Sequence, residues 1–180
     1  MIILGIDPGS RTTGYGLLQF EKREIKYLTS GVLIFEQEKN FLLRLPQMRE
    51  QMDVLVKTYN PHVAVFESLI YVKGTTSILK LAQTRGAMIA SLPKEIEVVE
   101  YSPNLVKSAT VGHGHADKES IQKFLKMVLG KSLPENFKTN DESDALAIAF
   151  CHILQKGNGS LGAKKSGSLA QAVSHKVKEL

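Results

Sequence analysis

The chain has 180 residues, a formal net charge of +5, 43% hydrophobic residues and a single cysteine, Cys151. This length suits one domain with a substantial core. A lone cysteine excludes an internal disulfide and favours a reducing, cytoplasmic location. No apolar run approaches the roughly 20 residues that span a bilayer, and no basic, apolar leader opens the sequence, so we expect neither membrane association nor a secretory signal.

The positive charge is concentrated near the C-terminus. Residues 156–180 contain five lysines and one acidic residue among many glycines and serines. This composition predicts a basic, flexible tail that follows a folded domain of residues 1–155. Phosphate binding and simple solubilisation are both compatible with such a tail.

The first third of the chain predicts a three-stranded antiparallel meander followed by a helix. Apolar runs bounded by turn residues predict strands at residues 2–7, 14–20 and 24–35, and their short links favour antiparallel pairing. Apolar residues at helical spacing predict a helix over residues 41–59, which Pro61 ends.

The middle of the chain alternates strands and helices. Short apolar runs predict strands at residues 63–67 and 97–101, with a helix over residues 75–91 between them. Ser102 and Pro103 have the residue types of a helix N-cap and first turn, and another helix is predicted over residues 116–129.

The last predicted helix is the most apolar. Thr139 and Glu142 have the spacing of a capping box, and the apolar residues 145–154 follow directly. The whole order predicts an α/β fold with a five-stranded mixed sheet, three strands antiparallel and two parallel, with helices on both faces. The order of the strands in the sheet is not determined by these patterns.

Four carboxylates stand at element ends in this prediction. Asp7 and Glu67 each end an apolar strand, where an isolated charge is costly. Asp141 and Asp144 are three residues apart and share a helical face at a helix N-terminus, which favours negative charge. Each acid alone also fits an ordinary role, as a turn residue, a lysine partner or a first-turn helix residue.

Taken together, the four acids have the chemistry of a site for hard divalent cations. Carboxylates held close together repel one another, and two Mg²⁺ ions would relieve that repulsion, with Mn²⁺ as a possible substitute. Two such ions can activate water and stabilise the leaving oxygen of a phosphoryl displacement. His113 and His115 alternate with glycines in a predicted loop, and we do not expect them to bind metal.

Basic residues accompany the acids along the chain. We expect contacts to DNA phosphates from lysines and an arginine in stretches poor in acids, namely Lys73, Lys80, Arg85, Lys107 and Lys118. A solvated basic helix face is the alternative explanation. The apolar pair Ile70 and Tyr71 follows Glu67 in a predicted loop, a position that suits insertion between bases.

Several segments resemble one family. Residues 5–16, which read Gly-Ile-Asp-Pro-Gly-Ser-Arg-Thr-Thr-Gly-Tyr-Gly, resemble the N-terminal signature of the RuvC family, the bacterial Holliday junction resolvases. Residues 79–86, 106–107, 111–112, 116–118 and 141–149 are similar to that family in the same order and at similar spacing. The similarity extends from residue 1 to about residue 152 and leaves out the tail.

The resemblance implies a fold, a reaction and partners. It implies an RNase H-like fold of the retroviral-integrase type, a symmetric homodimer, and Mg²⁺-dependent nicking of two opposed strands of a four-way DNA junction in recombination and repair. It assigns catalysis and metal binding to Asp7, Glu67, Asp141 and Asp144, and phosphate contacts near the cut to Lys107 and Lys118. The products would be a 5′ phosphate and a 3′ hydroxyl, and the RuvA–RuvB branch-migration complex would be the partner.

One position departs from the family pattern. The family often has a phenylalanine three residues after the catalytic glutamate, whereas this chain has Ile70 there and Tyr71 next. We predict that Tyr71 shares the role of a wedge in the junction.

In the mechanism that we expect, Asp7 contacts both metals, Glu67 holds one of them, and Asp141 with Asp144 completes the other. Lys118 would offset charge on the phosphate.

Other functions fit parts of the sequence. The Gly-Ile-Asp turn also resembles the phosphate loops of actin-like ATPases and sugar kinases, which need two such domains, and this chain has room for one. A nuclease of the related YqgF type and a non-catalytic junction-binding module are further alternatives. The segment around Lys107 and Lys118 disfavours the first, and the presence of all four acids disfavours the second.

Overall fold

The computed structural model describes residues 1–69, 75–111, 118–130, 133–134 and 137–159. Its centre is a five-stranded sheet in the order β3-β2-β1-β4-β5. The strands are β1 (Ile2–Asp7), β2 (Thr12–Glu21), β3 (Glu24–Ile34), β4 (Val63–Glu67) and β5 (Glu97–Tyr101). β1, β2 and β3 pair antiparallel, while β1 with β4 and β4 with β5 pair parallel. The predicted mixed sheet is therefore confirmed.

The second strand begins two residues earlier than the sequence predicted. Thr12 and Thr13 pair with Ile34 and Leu33 of β3, so the turn after Asp7 is only four residues long. This early start brings the Thr12 side chain to the end of the sheet beside Asp7.

Five helices cover the sheet within the described ranges. They are α1 (Phe41–Tyr59), α2 (Thr75–Ile89), α3 (Pro103–Val111), α4 (Lys118–Leu129) and α5 (Asn140–Gly159). The Asn40 side chain caps α1 by accepting a hydrogen bond from the Leu42 amide, and Ser102 accepts one from the Leu105 amide at the start of α3, as predicted. None of the described helices combines the length and hydropathy that crossing a bilayer requires.

The sheet separates two apolar cores. On one face, Ile3, Leu18 and Val65 pack with α3, α4 and the buried residues of α5. On the other face, the alternate residues Leu4 and Ile6 pack with α1 and α2. Because side chains alternate along a strand, every residue of β1 and β4 can be assigned to one of these two faces.

Three glycines let α5 lie directly on β1 and β2. A Cβ atom on Gly5 would lie 2.1 Å from the Ala145 carbonyl oxygen, and one on Gly14 would lie 1.9 Å from the Asp141 carbonyl oxygen. A Cβ on Gly16 would lie 2.7 Å from the Leu146 side chain. The backbone of α5 therefore contacts the backbone of the sheet, which only glycine permits at these positions.

Ion pairs tie the edge strand β5 to two helices. Glu97 pairs with Lys156 of α5 at 2.7 Å, and Glu100 pairs with Arg85 of α2. α5 continues to Gly159, four residues past the predicted domain boundary at residue 155, and Lys156 lies within it. Charged residues that are engaged in this way also make an edge strand a poor template for another chain.

The contact between Gly14 and α5 predicts a large effect of Gly14→Ala. The added methyl group would meet a backbone atom that cannot move unless the helix shifts, so we expect the free energy of unfolding to fall by about 3 kcal/mol or more. Urea denaturation of the purified protein measures this change.

Gly31→Ala is the matched control for that variant. A Cβ atom on Gly31 would lie 2.7 Å from the Tyr15 hydroxyl and close to the Tyr15 ring. The far end of the Tyr15 side chain can move away from an added methyl group. We expect a loss of about 1 kcal/mol, and equal losses for the two variants would contradict the backbone contact.

Candidate active site

Asp7 and Glu67 lie side by side at one end of the sheet. Ile6 of β1 is in register with Phe66 of the parallel strand β4, and the two acids are the next residues on each strand. Asp7 follows Gly5 by two residues, and Glu67 follows Val65 by two, so both acids lie on the face that α5 covers. Asp7 and Glu67 therefore lie at the same edge of the sheet.

The first turn of α5 brings Asp141 to the same place. Its carbonyl oxygen rests against Gly14, which is the register partner of Asp7 in β2. The Thr12 hydroxyl donates a hydrogen bond of 3.0 Å to Oδ2 of Asp141. A cavity of about 330 Å³ is lined by Asp7, Asp141 and residues 8–12. Glu67 lies outside this lining.

Asp144 lies one helical turn after Asp141 and is partly exposed. The next residue, Ala145, rests on Gly5 of β1, so Asp144 is held near the same sheet end, although it does not line the cavity. The structure thus places two acids on neighbouring strands and two on the helix that crosses them. All four are on one face of the sheet.

The carboxylate oxygens at this end of the sheet suit hard cations, and the cavity beside them is open to solvent. Within the described ranges, no group of three or more His, Cys, Asp or Glu side chains is arranged as a ready ligand set for a metal ion. Mg²⁺ seldom needs such a set, because it is held by one or two carboxylates together with waters and substrate phosphates. Carboxylates at a cavity that opens to solvent suit that mode of binding.

Glu142 anchors the turn that carries the two helix acids. Its side chain is only 3% exposed, and it accepts hydrogen bonds of 2.7 Å from the Ser30 hydroxyl and 2.8 Å from the Lys138 amide. The Ser30 hydroxyl is also 2.9 Å from the hydroxyl of Tyr27. A buried carboxylate with such partners fixes the helix end to β3.

The capping box differs from the prediction in one bond. The Thr139 hydroxyl accepts a hydrogen bond of 3.4 Å from the Glu142 amide, as predicted. The Glu142 carboxylate reaches the Lys138 amide rather than that of Thr139, because it also has to face Ser30 on β3. Local spacing predicts a cap, and it contains no information about a partner that is 112 residues away.

Sequence reasoning missed a buried histidine that contacts the register partner of Glu67. Tyr101 is the register partner of Glu67, and its hydroxyl lies 3.0 Å from Nδ1 of His152 on α5. His152 is 1% exposed, and its Nε2 has no hydrogen-bond partner among the described residues. Burial lowers the pKa of His152, with a further decrease from Lys156 and an opposing effect of Glu97. The one available signal was a histidine within an otherwise apolar helix face.

The basic residues predicted to contact DNA have different surroundings. The Arg85 guanidinium pairs with Glu100 and lies 5.7 Å from the ring centroid of Phe66, so its charge is engaged inside the molecule. Lys80 is exposed and lies 5.7 Å from the ring centroid of Phe41.

The structure describes only some of the other residues that were predicted to contact DNA. Lys107 is half-buried on α3, which begins two residues after Tyr101. Lys118 is the first residue of α4, and its side chain is not among those described. Ile70, Tyr71 and Lys73 lie outside the described residues, so their contacts stay predictions.

The comparison with family models decides the assignment. Residues 3–152 match the model described as crossover junction endodeoxyribonuclease RuvC. The chain belongs to the RuvC family. The matched range contains all four carboxylates, and it ends at His152, before the basic segment that follows.

Curated members of the RuvC family are similar over most of their length. The crossover junction endodeoxyribonuclease RuvC of Sinorhizobium medicae is 38% identical over 151 residues, which cover 83% of this chain and 89% of that protein. The Sinorhizobium fredii protein of the same name is 40% identical over 151 residues, which cover 83% of this chain and 87% of the relative.

Solved structures of the RuvC family have the same fold. RuvC of Thermus thermophilus superposes with a TM-score of 0.77 at 26% identity and covers 88% of this chain and 97% of its own. RuvC of the same organism in complex with a Holliday junction substrate gives a TM-score of 0.78 at 25% identity, with 89% and 97% coverage. These matches confirm the RNase H-like α/β fold.

The buried His152 predicts a pH dependence of stability. Its pKa is lowered in the folded state, so the unfolded chain takes up a proton at pH values near the ordinary 6.5, where the folded chain does not. Stability from this group is complete above about pH 6.5 and decreases as pH falls, by at most about 1.4 kcal/mol per pH unit.

Chemical denaturation at pH 7.5, 6.5 and 5.5 measures this effect. We expect the stability of His152→Gln to fall less than that of the unaltered protein between pH 6.5 and 5.5. His62→Gln is the control, because that histidine is exposed. Parallel pH profiles for the unaltered protein and His152→Gln would contradict the assignment.

Proposed function

We propose that this chain is a structure-selective endonuclease that resolves four-way DNA junctions by nicking two opposed strands, with Asp7, Glu67, Asp141 and Asp144 as its catalytic acids. The observation that carries the proposal is that Asp7 and Asp141, which are far apart in sequence, line one cavity at the sheet end, with Glu67 beside them. Membership in the RuvC family supports the reaction and the substrate. Such an enzyme would act in homologous recombination and DNA repair.

The four acids provide oxygen ligands for cations, and the proposed mechanism assigns no covalent role to Ser10 or Thr12, whose hydroxyl groups also line the cavity. Bound divalent cations would supply the Lewis acidity that activates a water molecule and stabilises the leaving 3′ oxygen. We propose Mg²⁺, two ions per site, with Mn²⁺ able to substitute. Asp7 would contact both ions, since it ends a strand that is paired on both sides and therefore has a rigid backbone.

The two helix acids have a different role in this scheme. Asp141 lines the cavity with Asp7, and in this scheme it would hold a cation and orient the attacking water. Asp144, one turn further along α5, would complete the same coordination. Displacement by water leaves a 5′ phosphate and a ligatable 3′ hydroxyl and needs no covalent enzyme intermediate.

Cations are also required for electrostatic reasons. Four carboxylates at one sheet end repel one another and repel the phosphates of DNA. We propose that Lys107 and Lys118 offset part of this charge from α3 and α4, which pack beside α5. Lys118 would stabilise the phosphate as negative charge accumulates on it in the transition state.

Five further residues were predicted to contact DNA, and we propose a separate role for each group of them. Ile70 and Tyr71 would unstack bases at the junction, and Lys73 would contact the backbone nearby. Lys80 is exposed and free to contact phosphate, whereas Arg85 would first have to leave Glu100. We therefore assign the phosphate contact of α2 to Lys80 and a mainly structural role to Arg85.

Two symmetric cuts suit a homodimer, and α2 offers a surface for it. Leu79 is 60% exposed, and Ala82 and Gly86, one and two turns later, are exposed on the same side. A Cβ atom on Gly86 would meet nothing within 4 Å, so a second helix can approach closely there. We call the surface formed by Leu79, Ala82 and Gly86 the stripe. A two-fold axis through the stripe would place two identical active sites on one junction. The RuvA–RuvB complex remains the partner that we expect from the family resemblance.

The metal scheme predicts a specific outcome for Asp7→Asn. The variant should bind a four-way junction at least as tightly as the unaltered protein, because a repelling charge is lost. It should cut the junction roughly 1000-fold or more slowly, since several kcal/mol of transition-state stabilisation disappear. Gel-shift and single-turnover cleavage assays on a synthetic junction measure both quantities.

Asp53→Asn is the matched control for that experiment. Asp53 is a surface acid of α1 that pairs with Lys57, and the same substitution there should leave cleavage unchanged. A linear duplex and an RNA hairpin complete the design. Paired nicks restricted to the junction support the proposal, cleavage of the RNA would favour the YqgF-type alternative, and normal cleavage by Asp7→Asn would exclude the four-acid mechanism.

The dimer surface predicts a monomeric variant. Leu79→Glu would place a charge in the proposed contact between the two α2 helices, so we expect the dimer dissociation constant to rise at least about tenfold. Sedimentation velocity at micromolar concentration measures it. Leu43→Glu on α1 is the control, because Leu43 is 55% exposed and lies outside the stripe. Dimers that persist in Leu79→Glu would place the interface elsewhere.

A further inference from the structure

The Thr12 side chain contacts a carboxylate of the cavity. It is the first residue of β2, and it lies on the face that Gly14 and Gly16 turn towards α5. Its hydroxyl donates to Oδ2 of Asp141 over 3.0 Å, and both residues line the cavity. A hydrogen bond to a charged acceptor is among the stronger kinds in proteins.

The backbone beneath Asp141 is already fixed without this bond. The carbonyl of Asp141 rests on Gly14, and the neighbouring Glu142 is held by the Ser30 hydroxyl and the Lys138 amide. The helix therefore cannot readily rotate or withdraw from the sheet. What these contacts leave undetermined is the direction of the Asp141 carboxylate, because the last torsion of aspartate has broad preferences.

We propose that Thr12 is a positioning residue for Asp141. The Thr12 hydroxyl occupies Oδ2 of Asp141 and so leaves Oδ1 directed to a divalent cation beside Asp7. This inference rests on the proposed function and adds a determinant of cation affinity to it. Without the hydroxyl, the carboxylate would sample several orientations, and binding a cation would have to restrict them again. Hydrogen-bond partners of metal ligands typically contribute 10- to 100-fold to metal affinity or activity.

The test compares two substitutions of nearly equal shape. Thr12→Val replaces the hydroxyl by a methyl group and keeps the branched side chain that suits a strand, whereas Thr12→Ser keeps the hydroxyl. Thr58→Val is the matched control, because it removes a hydroxyl that donates 2.7 Å to the Val54 carbonyl on α1, far from the site. The full chain is used in every case.

Two readouts are measured for each variant. Mn²⁺ binding to the DNA-free protein, followed by electron paramagnetic resonance, reports affinity without any reaction. Cleavage of a synthetic junction across a Mg²⁺ titration separates the half-saturating concentration from the maximal rate. For Thr12→Val we expect roughly 10-fold weaker Mn²⁺ binding and a similar rise in half-saturating Mg²⁺, with smaller changes in maximal rate and none in junction affinity. Thr12→Ser and Thr58→Val should resemble the unaltered protein.

The outcomes separate this inference from the proposed function. If Thr12→Val binds Mn²⁺ as tightly as the unaltered protein, or if it loses only thermal stability, Thr12 has a structural role and the inference is overturned. Thr12→Ala replaces Thr12→Val with the same expectation if circular dichroism shows the valine variant to be unfolded. An unaltered chain that cuts the junction without divalent cations, or an Asp7→Asn variant that cuts normally, would instead overturn the metal-dependent function itself.

Discussion

The arrangement of the site depends on the direct backbone contact between α5 and the strands β1 and β2. Gly5, Gly14 and Gly16 have no side chains, and this absence lets the helix approach until its carbonyl oxygens lie 2.1 Å and 1.9 Å from where the Cβ atoms of the first two would be. Aspartate is a short side chain, so an acid on a helix can reach an acid on a strand only across a small gap. Any larger residue at these glycines would separate the helix acids from Asp7.

This arrangement places repulsive charges together, and the rest of the fold has to stabilise it. α5 provides much of that stabilisation, because its residues from Ala145 to Ile153 are buried against the sheet, α3 and α4. Burying each of the leucine, isoleucine and phenylalanine side chains in this segment contributes about 1.5–3 kcal/mol. The same helix therefore carries two of the acids and a large part of the core that opposes their repulsion. Functional sites commonly retain such local conflicts.

Sequence patterns predicted the elements better than their contacts. The bounds of β1, β4, β5 and α1 agree with the prediction, because each is an apolar run or a periodic helix with clear breakers at its ends. The position of Asp7 next to Glu67 could not be predicted in the same way, because it requires β1 and β4 to be neighbours in the sheet. The order of the strands did not follow, because short links and crossovers allow several arrangements.

Side-chain partners that are distant in sequence explain the remaining differences. Arg85 was predicted to contact DNA phosphate, and only the folded structure shows that it pairs with Glu100 of β5. The Thr12 bond to Asp141 joins residues 129 positions apart, so no local pattern contains it. Likewise, the capping box left open that Glu142 would face Ser30. In each case the missing information was the packing of one element on another.

The position of Glu67 also depends on α5, although Glu67 lies on a strand. β4 is a five-residue strand between β1 and β5, and its neighbour β5 is held to α5 by the contact of Tyr101 with His152 and by the pair of Glu97 with Lys156. β1 is held to the same helix through Gly5. The backbones that carry all four acids are thus connected to one helix by short structural paths. The fold therefore fixes where each acid starts, and the metal ions and DNA phosphates that complete the site have only the acid side chains left to orient.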